Sequence, residues 1–236
     1  MTIKQSFSWD GFARTGIEPE TLMRGAAEIG YHGVEMVDPS LYPLAKDCGL
    51  AIISSTAFPL APDGLNRREN YAALEAQTRR KLDEAVEWGI PLLLVFSGNR
   101  SGVNDDVAAE ITVENLSKLA QHAEDAGVTL MLELLSTNAN RDYQADRSAW
   151  AMDVCRRVNH PRVRLLYDIF HMQIMEGNII RTIQAGHPYF AHYHTAGNPG
   201  RHDLDDEQEL NYPAIVRAIA ATGYNGFIGH EFFPKG

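Results

Sequence analysis

Eight short, apolar, β-prone runs with helix-patterned stretches between them constrain this sequence more than any other feature. The runs lie at residues 4–9, 33–37, 51–55, 91–96, 129–134, 164–168, 189–194 and 227–231. Strands that alternate with helices build βα units and a parallel sheet rather than a sandwich or a bundle. Runs such as LLLVF and LMLELL are apolar at consecutive positions, as strands buried on both faces must be. Eight units predict closure into a (β/α)8 TIM barrel, with residues 1–236 forming one domain. The clearest helical periodicities cover residues 19–29, 69–88, 113–126 and 212–222. Gly30, Gly89, Gly127 and Gly223 follow them, where a left-handed residue turns the chain toward the next strand. The chain stops at Gly236, soon after the last run, so the expected barrel lacks its last helix. A flank left open in this way would favour a homo-oligomer. A Rossmann sheet is the structural competitor, but SFSWDG stands where a Gly-x-Gly-x-x-Gly turn should follow the first strand.

Charge and cysteine content narrow the function classes. A formal net charge of −10 and the absence of any basic run argue against a nucleic-acid partner. No apolar stretch approaches the ~18 residues a membrane span needs, and no leader pattern opens the chain, so the expected location is cytoplasmic. Cys48 and Cys155 have no Cys-x-x-Cys spacing and read as packed thiols, not as a disulfide or a thiolate zinc site.

In a barrel of this kind the active site lies at the C-terminal strand ends. Four successive runs place a metal-binding side chain there: Glu133 in LMLELL, Asp168 in LLYDIFH, His194 in AHYHT and Glu231 in IGHEFF. An ionised carboxylate among apolar neighbours costs several kcal/mol unless a cation or donor compensates it. Three converging carboxylates would also repel one another. One divalent cation resolves both costs, and the oxygen-rich donor set favours Mn²⁺ or Mg²⁺, with Co²⁺ or Zn²⁺ as further candidates. Taken singly, each residue reads equally well as a helix cap or an ion-pair partner; four on consecutive strands carry the argument. His171, three residues after Asp168, can reach the same pocket. His192 falls on the other face or one register deeper than His194 and reads as a packed or supporting histidine, while His187, His202 and His230 are ambiguous. The glycines of SGNRSG, residues 97–102, could cradle a substrate oxygen or simply turn a loop.

DIFHMQ (168–173), PGRH (199–202), ELNYP (209–213) and GYNGFIGHEF (223–232) together resemble the hydroxypyruvate isomerase family, within the xylose-isomerase-like barrels that also include ketose 3-epimerases. The likeness spans most of the chain and is strongest from Leu130 onward. It implies that Glu133, Asp168, His194 and Glu231 hold the metal, that the two glutamates act as acid and base, and that His171 and Arg201 contact substrate. The sequence departs from the pattern at His194, where those isomerases often carry glutamine and the epimerases carry histidine.

The expected reaction is isomerisation of a small hydroxy-carbonyl compound through an enediolate, with hydroxypyruvate and tartronate semialdehyde as the first pair to consider. Glu133 and Glu231 would move the proton and Arg201 would bind a substrate carboxylate. Arg201 could equally form a rim ion pair. The alternatives are a ketose 3-epimerase on the same metal site, an abasic-site endonuclease, against which the acidic charge counts, and a non-catalytic metal- or sugar-binding barrel.

Overall fold

The computed structural model describes residues 3–60 and 62–235. Its eight strands are β1 (Lys4–Ser8), β2 (Gly33–Glu35), β3 (Ala51–Thr56), β4 (Leu92–Val95), β5 (Thr129–Glu133), β6 (Val163–Asp168), β7 (Phe190–Thr195) and β8 (Phe227–His230). All pair in parallel in chain order, and β8 closes on β1 with Lys4 opposite Phe227 and Phe7 opposite His230. Leu93, Leu94 and Val95 of β4 and Leu130, Met131 and Leu132 of β5 are buried because helices cover the outer face while side chains fill the interior.

Nine α-helices are described: α1 (Trp9–Ala13), α2 (Pro19–Glu28), α3 (Tyr42–Asp47), α4 (Tyr71–Trp88), α5 (Asp105–Ala126), α6 (Ser148–Val158), α7 (Ile169–Met175), α8 (Ile179–Gly186) and α9 (Tyr212–Ala221). Gly89 and Gly127 cap α4 and α5 at φ 72° and 69°, a left-handed conformation that glycine adopts without strain.

The structure corrects several expected boundaries. Helix α5 begins at Asp105 rather than residue 113, because the Asn104 side chain accepts a hydrogen bond from the Asp106 amide (2.8 Å) and Asp105 and Asp106 suit the positive helix start. Strand β2 ends at Glu35, since Met36 turns to φ 51°. Trp9 begins α1 instead of ending β1. No helix follows β8 among the described residues, as expected; the outgoing segment packs on α1, with the Phe12 and Phe232 rings 5.1 Å apart edge to face. None of the described helices is long and apolar enough to cross a membrane.

The SGNRSG loop turns out to be structural. Gly98 packs against the Gly64 backbone, and Arg100 pairs with Asp146 (2.8 Å) and Asp105 (3.1 Å). None of residues 97–102 lines the main cavity.

Candidate active site

Strand register brings the four expected ligands to one rim. Asp168 pairs with His194 across β6 and β7, and His194 with Gly229 across β7 and β8. Glu231 lies two residues beyond Gly229, where its amide donates to the Thr195 carbonyl (3.0 Å). Residues two apart on a strand share a face, so Glu231 rises above Gly229 on the interior side. Glu133 ends the neighbouring β5. One ligand atom from each of Glu133, Asp168, His194 and Glu231 lies within 4.8 Å of all the others.

These groups have unequal environments. Asp168 is buried, which alone would favour its neutral form. The Arg201 guanidinium at 3.0 Å, nearby His171 and His194, and the His171 amide at 3.1 Å nevertheless hold it well below the usual carboxylate range. Glu231 is only partly buried, its side chain 21% exposed; desolvation opposes its charge, but Arg201 and His194, whose Nδ1 lies 2.8 Å from its carboxylate, hold it low. Glu133 is the opposite case. Among the described residues its carboxylate receives no hydrogen bond, and burial together with the Glu231 charge pushes it up to about 8. For His194, burial disfavours the charged ring, but the carboxylates of Glu231 and Glu35 outweigh it and hold the ring well above its usual value.

Arg201 sits on the loop at residues 198–202, in which Gly200 and Arg201 both have positive φ, 96° and 58°. A non-glycine residue there is strained and needs anchoring. The Phe233 amide supplies an anchor by donating to the Arg201 carbonyl (2.8 Å), and the His202 ring hydrogen-bonds the Phe233 carbonyl (2.8 Å). The guanidinium stacks over Phe170 (4.9 Å), donates to Asp168 and Glu231, and donates through Nη1 to His171 Nε2 (2.9 Å). Because arginine can only donate, His171 Nε2 is the acceptor, so its proton lies on Nδ1 and goes to Ser136 Oγ (3.0 Å). Burial keeps that ring neutral. Both ring nitrogens of His171 are thus engaged, so the expected contact with substrate requires Ser136 or Arg201 to give way.

The rim opens into a cavity of about 920 Å³ whose lining includes Glu133, His171, Arg201 and Glu231 together with Ser55, Phe58, Lys81, Phe96 and Asn138. Of the three clustered carboxylates and the imidazole, Glu133 and Glu231 line it, and Arg201 is the one arginine or lysine bonded to the cluster among the described residues. That surplus of negative charge and the hard donor set fit a divalent cation.

Sequence reasoning missed Glu35, at the end of β2 and fully buried. Its carboxylate accepts hydrogen bonds from Ser6 Oγ, Ser54 Oγ (3.0 Å), and the Nε2 atoms of His192 and His194 (3.0 Å each). His192 thus lies one layer below His194, the deeper of the two placements its spacing left open. His230 instead bonds Thr195 Oγ1 and Gln5 Oε1 (2.8 and 2.9 Å), and His187 bonds the Gln184 carbonyl (3.1 Å); neither lines the cavity.

Comparison with known proteins agrees with this architecture. The chain is 29% identical over 225 residues to a 2-oxo-tetronate isomerase of Pectobacterium atrosepticum, covering 90% of this chain and 86% of that one. It is 30% identical over 233 residues to a Danio rerio protein named "Putative hydroxypyruvate isomerase", covering 91% and 84% respectively. A solved structure described as AP endonuclease, family 2, from Brucella melitensis superposes with a TM-score of 0.89 at 26% identity, covering all of this chain and 95% of that one. The family described as xylose isomerase-like TIM barrel matches residues 23–236. The closed parallel barrel, its polar rim and that match together show that this chain belongs to the xylose isomerase-like TIM barrel family.

Proposed function

We propose that the chain is a metal-dependent isomerase of a small 2-keto acid, with hydroxypyruvate and tartronate semialdehyde as the substrate pair or their four-carbon homologues, the 2-oxo-tetronates, in their place. The names of its relatives support the reaction class. The observation that carries the reading is the pair of glutamates on β5 and just beyond β8, one pushed up to about 8 and the other held low, within one four-residue ligand set. Two carboxyl groups whose proton affinities are driven apart are suited to acid and base roles.

Glu133, Asp168, His194 and Glu231 would hold Mn²⁺ or Mg²⁺, with Co²⁺ or Zn²⁺ as further candidates. When bound, the cation would polarise the carbonyl and hydroxyl oxygens and stabilise negative charge on the substrate. Glu231 takes the proton from the hydroxyl-bearing carbon C3, leaving the enediolate. Glu133 returns a proton to C2 while the hydroxyl proton passes from O3 to O2, which converts the ketone into the aldehyde and leaves the charge unchanged. Once released from Asp168, Glu231 and His171, Arg201 would present its N–H groups to a substrate carboxylate, and His171 borders the same pocket.

A second reading, a ketose 3-epimerase on the same rim, draws on the cavity: about 920 Å³ lies near the upper end of small-molecule pockets and leaves room for a longer chain. Steady-state assays of protein stripped with a chelator and reloaded with Mn²⁺ decide between them. Aldehyde formation from hydroxypyruvate or a 2-oxo-tetronate, lost on stripping and restored on reloading, is the expected result. Turnover of tagatose or fructose alone would move the assignment to the epimerase, and full activity after stripping would reject the metal-dependent reading.

A further inference from the structure

Glu35 is the unassigned group with the most organised surroundings in the molecule. It is fully buried, a position that costs several kcal/mol for a charged carboxylate unless donors compensate. Four donors do so: Ser6 and Ser54 through their hydroxyls, His192 and His194 through Nε2. An ionised carboxylate has about four lone-pair sites, so these bonds satisfy it completely, and the two histidines beside it hold it well below its usual range despite burial.

We propose that Glu35 is a positioning residue for the metal site, fixing the ring of His194 so that Nε2 carries a proton and Nδ1 presents its lone pair to the cation. This inference rests on the ligand set proposed above. A carboxylate beside His194 Nε2 can only accept, so that nitrogen is the donor. The other nitrogen, Nδ1, then faces the rim, 2.8 Å from Glu231. The same logic fixes His192: Nε2 donates to Glu35, and among the described residues its buried Nδ1 has no partner, as suits an unprotonated nitrogen. His192 therefore braces Glu35, and Glu35 braces His194.

Gly229 makes this packing feasible. A Cβ at that position would overlap Glu35 Oε1 and lie 2.9 Å from both His192 Nε2 and His194 Cδ2. The glycine before His230 and Glu231 thus leaves space for a charged group one layer below the rim.

Glu35, His192 and His194 lie close enough together to suggest a cation site of their own. Against that, Ser6 and Ser54 occupy two of the carboxylate's acceptor positions, and protons on both Nε2 atoms occupy the rest. All three residues are completely buried.

The test is calorimetric titration of Mn²⁺ into wild type and Glu35→Gln, combined with nitrogen-15 spectra of the histidine rings in wild-type protein loaded with Mg²⁺. Partners that orient a metal-bound histidine typically change affinity 10- to 100-fold. The expected result is one Mn²⁺ per wild-type chain, binding about 10- to 100-fold weaker in Glu35→Gln, and a His194 ring protonated at Nε2. The ring spectrum requires no variant, so it decides the matter even if Glu35→Gln fails to fold: a proton on Nδ1 overturns the proposal. Affinity within threefold of wild type in a folded Glu35→Gln overturns it as well, while leaving the metal site intact. A second Mn²⁺ equivalent lost with Glu35 would make it a ligand and likewise overturn the positioning role. Failure of wild type to bind Mn²⁺ at all would reject the ligand set itself, and with it this inference.

Discussion

At the residue scale, environment separates side chains of the same type. Glu133, Glu231 and Glu35 are all carboxylates near one end of the barrel, yet one lacks donors, one is tied to Arg201 and His194, and one is fully hydrogen-bonded. Replacing Glu133 or Glu231 with glutamine is expected to leave a folded protein with at least ~1000-fold less turnover, the loss expected when a proton-transfer group is removed; near-normal rates in either variant would take that residue out of the chemistry. His230 offers a test unconnected with turnover. Burial pushes it down to about 4, so the folded state resists its protonation more than the unfolded chain does. Its contribution is therefore fully present above about pH 6.5 and is lost as pH falls toward 4, on the order of 3 kcal/mol in all. Urea unfolding at pH 7 and pH 4.5 should show a smaller drop for His230→Gln than for wild type. The rim carboxylates were legible because each stands in an apolar run at a strand end. Glu35 meets the same criterion in GVEM, but a three-residue strand with a single acidic group gave no neighbouring match to strengthen it. The role of Arg201 could not be read from PGRH alone, because its contacts depend on a left-handed loop pinned to the segment after β8.

At the element scale, the strands were the most legible part of the chain, since burial on both faces leaves a run of consecutive apolar residues. Long helices with a wide apolar stripe were nearly as clear. Helices α1 and α7 have five and seven residues, too few for a repeating stripe to stand out, and both start directly at the end of a strand. The first two turns of α5 were missed despite the Asn-Asp-Asp start, because the expected boundary followed apolar spacing rather than capping chemistry. That cap makes a clean prediction: Asn104→Ala should cost about 1 kcal/mol of unfolding free energy and leave turnover unchanged, because Asn104 does not line the cavity. An unchanged denaturation midpoint would show that the Asp106 amide finds an equally good partner in water.

At the scale of the whole molecule, closure of the sheet converts eight separate strand ends into one rim, and the chain order of the strands sets the order of the ligands around it. A cation at that rim would link β5, β6, β7 and the segment after β8, so binding should stabilise the entire barrel. At a hundredfold excess over Kd, linkage predicts about 2.7 kcal/mol, equivalent to a rise in Tm of roughly 5–10 °C for a domain of this size. Asp168→Asn should remove most of that rise, and an equal rise in the variant would place the cation elsewhere. The most direct test of the central claim, that the rim moves a carbon-bound proton, is proton NMR of the Mg²⁺-loaded protein with hydroxypyruvate in D₂O. The account predicts loss of the C3 proton signal as solvent deuterium enters, together with new tartronate semialdehyde signals, both abolished in Glu231→Gln. Aldehyde formed with the original C3 proton retained at C2 and no solvent deuterium incorporated, or exchange that persists unchanged in Glu231→Gln, would contradict it.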